Sequence, residues 1–138
     1  MTDAARDVIT RYAEAWERGD IAAMLDSYAD DVVAHYGGTS DFAGTHRGRD
    51  RLVEVLLESA ARSDRLLVSI DQVHDDGSTG AIFATESFTI GDRAAVVHRA
   101  LRYRTDGERI TELWLYDQDQ HLVDQAWSPA VVVPATGS

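Results

Sequence analysis

From Arg65 onward the period of the chain changes to two, and that change constrains the fold more than any other feature. Before it, Ala5, Val8, Ile9, Tyr12, Ala13 and Trp16 recur at the spacing of one helix face. Thr2 or Asp3 can cap this helix and Gly19 ends it. Asp20 then caps a second helix carrying Ile21, Met24, Leu25 and Tyr28. A short strand over 31–36 and a Gly-rich loop over 37–44 follow, and a third helix begins near Asp50 with Leu52, Val53, Leu56 and Ala60. From Arg65 onward the period is two, over 65–75, 79–90, 93–104 and 108–117. The connections Asp76-Gly77, Gly91-Asp92 and Asp106-Gly107 are tight-turn dipeptides, so these four strands form an antiparallel meander. Three helices followed by long hairpins make an α+β domain. It is expected to be a single domain over 1–128, with an irregular tail over 129–138 containing Pro129 and Pro134.

The composition excludes several chemistries. The chain has 138 residues and no cysteine, which removes disulfides, thiolate nucleophiles and thiolate metal sites. It has no lysine either: all thirteen basic residues are arginine, so Schiff-base chemistry has no ε-amine to use. A net charge of −11 argues against nucleic acid and anionic membranes as partners. No apolar run could span a bilayer and no secretory leader is visible, so a cytoplasmic location is expected. The Ala/Arg/Asp-rich vocabulary, without Lys or Asn, suggests a GC-rich bacterial genome.

Short motifs then narrow the fold. Arg11-Tyr12, Gly19-Asp20-Ile21 and Tyr28-Ala29-Asp30-Asp31 open the chain. Gly44-x-x-Arg47-Gly48-Arg49-Asp50 precedes the third helix, and Asp106-Gly-x-x-Ile110-x-Glu112-x-Trp114-x-x-Asp117 closes the meander. In this order and spacing they resemble the nuclear transport factor 2-like superfamily. The first set is similar to the bacterial ketosteroid isomerases, and the later ones are similar to the SnoaL-like polyketide cyclases. The resemblance implies a cone-shaped fold, three N-terminal helices packed on a curved antiparallel sheet around a pocket. It also implies a cofactor-independent enzyme, a polyketide-type cyclase or isomerase working by general acid/base catalysis on a small hydrophobic molecule. Limonene-type epoxide hydrolysis, or binding without turnover, is the alternative.

Carried over residue by residue, the isomerase's oxyanion-hole tyrosine matches Tyr12. Its aspartate base falls on Tyr36, and its protonated aspartic acid falls near Arg99, so steroid isomerisation is not implied. The cyclases' general base matches Asp117. Two acids bridged by an arginine, as in the epoxide hydrolases, would be Glu86, Arg99 and Asp117.

Strand parity supports this grouping without the resemblance. Glu86 shares a face with Ile82, Ala84, Phe88 and Ile90; Arg99 with Val97 and Leu101; Asp117 with Leu113 and Leu115. Two acids and a cation on an apolar concave face have the ingredients for a tuned base or acid, and a structural buried ion pair would use the same residues. Tyr12, Arg99, Glu86 and Asp117 are therefore the catalytic candidates. Trp16, Phe88, Leu115 and the pair His35 and Tyr36 are the substrate-binding candidates.

Only one of His35 and Tyr36 can face inward. Alternation with Val33 favours His35, whereas the ungapped resemblance favours Tyr36. Asp41 in the Gly-rich loop is a further candidate base. His46, His74 and His98 lack any metal-ligand spacing and are expected at the surface or in turns, with no metal and no cofactor. Trp114 shares parity with Glu112 and Tyr116 on the outer sheet face, which suggests a homodimer.

Overall fold

The computed structural model describes residues 8–128, so the cap at Thr2 or Asp3, Ala5 of the first helix stripe and the tail over 129–138 lie outside the described residues. Helix α1 (Val8–Glu17) buries Val8, Ile9, Tyr12, Ala13 and Trp16, the stripe its spacing predicts. Gly19 turns the chain at a positive φ of 70°. Asp20 Oδ1 then accepts from Ala23 N–H at 3.1 Å, opening α2 (Ile21–Asp26). This helix buries no residue fully: Met24 and Leu25 pack partly against the core, while Ile21 is 52% exposed. Tyr28, expected on α2, begins β1 (Tyr28–Tyr36).

After β1 comes β2 (Gly44–Arg47), a strand that the Gly-rich composition concealed. Helix α3 (Arg49–Ser63) buries Leu52, Val55, Ser59 and Ser63, with Leu56 partly covered. Its inward face is thus rotated from the expected one, with Val55 and Ser59 in the places of Val53 and Ala60. The helix ends at Asp64, which adopts left-handed geometry (φ 44°, ψ 49°). A non-glycine residue there costs on the order of 1–2 kcal/mol. The turn it makes delivers Arg65 to the inside of the sheet.

The meander is β3 (Leu66–Asp75), β4 (Thr79–Ile90), β5 (Arg93–Thr105) and β6 (Ile110–Asp117). Gly77, Gly91 and Gly107 take positive φ in its three turns. The sheet order is β2-β1-β6-β5-β4-β3, with β1 parallel to β6 and every other pair antiparallel. Between Tyr28 and Val33 the β1–β6 register shifts, and β3 shifts twice against β4. Such irregularities bend strands. The sheet curls around the helices that cover it: α1 lies on β3, and α3 lies on β1.

A last helix, α4 (Gln120–Trp127), was not expected. Asp119 caps it by accepting from Leu122 N–H at 3.1 Å, and it buries Val123, Ala126 and Trp127. Its Trp127 inserts into the concave side, stacked on Tyr36 and Phe88 with Phe42 edge-on. Among the described residues, no helix is long and apolar enough to cross a membrane.

Candidate functional site

The strand register explains how four charges meet inside the cone. Arg99 on β5 lies directly opposite Asp117 on β6. Glu86 on β4 is opposite Val97, diagonal to Arg99 on the same face. Leu67 on β3 is opposite Glu86, and Arg65 precedes it by two residues. Direct and diagonal neighbours on one face are within reach of long side chains.

The result is an alternating chain. Arg65 Nε donates to Glu86 Oε1 at 2.6 Å, and Arg99 Nη1 donates to Glu86 Oε2 at 3.0 Å. Arg99 also grips Asp117 through Nε at 2.6 Å and Nη2 at 3.1 Å. All four groups are buried: the side chains of Glu86, Arg99 and Asp117 are exposed by 1%, 0% and 2%, and that of Arg65 by 12%. Phe88 and Trp127 cover the Arg99 guanidinium, with ring centroids 5.2 and 4.9 Å from Cζ.

The electrostatics follow from this pairing. Burial alone would push the Glu86 carboxyl up, but Arg65 and Arg99 overcome it and hold the pKa below the usual carboxylate value. Burial likewise works against the charge on Arg65, and Glu86 more than compensates, leaving its pKa raised. Both groups are therefore charged at neutral pH.

Four tyrosines complete the interior. The Tyr12 and Tyr28 hydroxyls are hydrogen-bonded to each other, and the Tyr12 ring packs on Tyr103 at 5.6 Å. Burial pushes Tyr12 up to about 12, and also raises Tyr28, Tyr36 and Tyr103. All four stay neutral and can donate.

A cavity of about 310 Å³ opens between α1, α2, α3 and the adjoining parts of β3 and β4. Its walls are apolar, built by Trp16, Met24, Leu25, Leu56 and Leu67 among others. Its polar surface comes from Tyr12, Arg65 and Glu86, and Glu86 is the only carboxylate in the lining. Such an apolar hollow with a few convergent polar groups is the usual form of a small-molecule site.

The sequence-predicted residues therefore separate. Tyr12, Trp16 and Glu86 line the cavity. Arg99 and Asp117 lie behind Glu86, outside the lining. Tyr36 and Phe88 are buried but packed on Trp127, and Leu115 is buried on the same inner face.

His35 is a correction. Val32, Ala34 and Tyr36 form the buried set of β1, so alternation turns His35 outward. There it bonds Glu112 Oε2 through Nε2 at 2.6 Å, approaches Thr45 Oγ1 at 3.1 Å, and stacks on Trp114. The apolar Val33 that favoured the opposite parity is an outward-facing, half-buried residue. His46 is a second correction: it is buried edge-on to Tyr36, with Nε2 2.6 Å from the Phe42 carbonyl, whereas His74 and His98 are exposed as expected. Asp41 sits far from the cavity chemistry, paired with Arg62 at 2.9 Å at the surface.

Sequence reasoning missed Arg65. Its parity with Leu67 placed it on the inner face of β3, but at a strand end a cation passes for a solvated flank. Among the described residues, no group of three or more His, Asp or Glu could hold a metal ion.

Comparison with known proteins agrees with this architecture. Residues 9–113 match the family model of the SnoaL-like domain. An uncharacterised protein of Mycobacterium tuberculosis is 29% identical over 129 residues, covering 91% of this chain and 98% of that one. A crystal structure of a protein of unknown function with a cystatin-like fold, from Xanthomonas campestris, superposes with a TM-score of 0.81 at 24% identity, over 91% of this chain and 98% of that one. A nuclear transport factor 2-like protein from Burkholderia thailandensis gives 0.76 at 23%, with the same coverage. At these identities the structures establish the fold alone. The family model, spanning most of the chain, establishes more: this protein belongs to the SnoaL-like domain family.

Proposed function

We propose that this protein is a cofactor-independent acid/base enzyme acting on a small hydrophobic carbonyl compound, as an isomerase or cyclase. One observation carries the reading: the apolar cavity has a single carboxylate, Glu86, with Arg65 and Tyr12 beside it. Glu86 takes a proton from the carbon next to the substrate carbonyl. The electron pair moves onto the carbonyl oxygen, and the resulting enolate is held by donors at the same end of the cavity. Returning the proton to a different carbon isomerises the substrate. Attack of the enolate carbon on a second carbonyl closes a ring, and the proton then goes to the new alkoxide.

Because its pKa is depressed, Glu86 is ionised at neutral pH but weakly basic, which suits an activated C–H such as one adjoining two electron-withdrawing groups. Arg99 and Asp117 act in this scheme by fixing Glu86, not by touching substrate.

Epoxide hydrolysis is favoured by one feature, the bridging of Glu86 and Asp117 by Arg99. It is opposed by another. The second acid would have to protonate the epoxide oxygen, yet Asp117 is outside the cavity and accepts two bonds from Arg99.

The test uses 2-tetralone, a bicyclic ketone with an acidic benzylic C–H. Wild-type protein in D₂O is expected to accelerate exchange at that carbon over buffer. Glu86→Gln should lose about 10²- to 10⁴-fold of the acceleration while still binding the ketone. Binding with no acceleration by the wild type would instead mark a non-catalytic carrier.

The outer sheet face supports a homodimer. Tyr116 is 52% exposed there, on the same face as Trp114, over which Arg102 and Arg104 lie, and Val96, 60% exposed, lies further along β5. Sedimentation equilibrium on wild type and Tyr116→Glu tests this: the wild type should run as a dimer and the variant as a monomer.

A further inference from the structure

The polar end of the cavity is unbalanced toward donors. Arg65 commits Nε to Glu86, and its two Nη atoms have no hydrogen-bond partner among the described residues. They are not sealed off: the side chain keeps 12% exposure and lines the cavity. Trp16 flanks the guanidinium, its ring centroid 5.9 Å from Cζ. Behind the lining, against the Tyr12 ring, the hydroxyl of Tyr103 is fully buried and has no partner among the described residues. The Tyr12–Tyr28 pair uses one of its two O–H groups internally and leaves the other over. The nearest carboxylate, Glu86, already has both oxygens engaged by arginines. Donors in and beside the cavity that no acceptor among the described residues meets are satisfied by an oxygen from outside.

The charges decide what kind of oxygen. Arg65, Glu86, Arg99 and Asp117 sum to zero within the buried cluster. A carboxylate entering the cavity would bring an extra charge into a poorly hydrated site, next to a Glu86 that already neutralises Arg65. The whole chain, at −11, repels it as well. A neutral acceptor takes the same hydrogen bonds without that penalty.

We propose that Arg65 is the specificity-determining residue of the cavity, its Nη pair docking the neutral carbonyl oxygen of an otherwise apolar ligand in preference to a carboxylate. The inference rests on the cavity being the substrate site, and it concerns recognition, so it can be read without turnover.

Three matched probes test it by calorimetry: tetralin, 2-tetralone and tetralin-2-carboxylate. For the wild type, 2-tetralone should bind at least about tenfold more tightly than tetralin, the effect of one hydrogen bond from a charged donor. The carboxylate should bind no better than the ketone. Arg65→Met should bring the ketone down to the level of tetralin and leave tetralin unchanged, which also shows that the variant is folded. Arg65→Lys, which keeps a cation against Glu86 if the Met variant does not fold, should lose most of the ketone preference because it lacks the planar nitrogen pair.

An unchanged ketone-to-tetralin ratio in the Arg65 variants overturns the proposal. So does a carboxylate that binds tenfold more tightly than the ketone, or a wild type that binds none of the three. Glu86→Gln separates the two readings. Lost proton exchange with the ketone preference intact would be the expected behaviour of a base distinct from the docking residue. A lost preference in the Arg65 variants with exchange in the wild type supports both, and an intact preference in them with exchange in the wild type leaves the base and removes Arg65.

Discussion

Arg99 holds Asp117 by two parallel hydrogen bonds, 2.6 Å from Nε to Oδ1 and 3.1 Å from Nη2 to Oδ2, and turns its remaining nitrogen to Glu86. All three side chains are buried, so this guanidinium neutralises two poorly hydrated carboxylates.

Removing that cation should be costly. Arg99→Met leaves Asp117 without its partner and Glu86 with Arg65 alone, and about 3–5 kcal/mol of stability should be lost. Urea unfolding measures it. The double variant Arg99→Met, Asp117→Asn should recover part of the loss, because Glu86 keeps Arg65 and no buried charge is then stranded.

The pH dependence of stability has a definite sign. The folded-state pKa of Glu86 is depressed, so the unfolded chain binds this proton first as pH falls. The contribution of Glu86 is fully present above the ordinary carboxylate pKa near 4.5 and is lost as pH falls below it toward the folded value. Asp71, Asp76 and Asp106 are shifted in the same direction. The difference in unfolding free energy between wild type and Glu86→Gln should therefore shrink between pH 6 and pH 3, roughly the span in which a carboxylate titrates. A constant difference would mean that Glu86 is not held ionised by its arginines.

Gly80 is required by space. A Cβ there would lie 2.0 Å from the backbone oxygen of His74 and 2.8 Å from Ile9 Cδ1. Gly80→Ala must push β4 from β3 or lift α1 off the sheet, and a loss of about 1–3 kcal/mol is expected from such overpacking. Thermal unfolding of the variant checks it, and an unchanged midpoint would contradict the close approach.

Trp127 seals the concave side over Arg99, Tyr36 and Phe88. Trp127→Ala should cost about 3–5 kcal/mol through the cavity it leaves and admit water to Arg99 and Asp117. Faster hydrogen exchange of β5 and β6 amides at this end, with β3 unaffected, is the expected signature.

The helices and the meander were legible because each rests on a local repeat: the buried stripe of α1 and the three glycine turns lie where the periodicity put them. The parity that joined Glu86, Arg99 and Asp117 was legible for the same reason. Less regular segments were not. Strand β2 is four residues long in a Gly-rich stretch, and α4 is an eight-residue helix whose signals, a capping Asp119 and the spacing of Leu122, Val123, Ala126 and Trp127, are short. His35 faces outward because Val32, Ala34 and Tyr36 take the inner face, and the apolar Val33 obscured that alternation on so short a strand.

By itself the sequence determined the first three helices and the meander after them, the α+β class, and which residues share each face of the meander, since these follow from side-chain periodicity along a continuous chain. Only the tertiary structure decided that β1 runs parallel beside β6, that a left-handed Asp64 swings Arg65 in under Glu86, and that Trp127 closes the far side. Those depend on contacts between distant segments, set by how the curved sheet and its helices pack. For the same reason the carboxylate facing the cavity is Glu86, while Asp117 is buried behind Arg99.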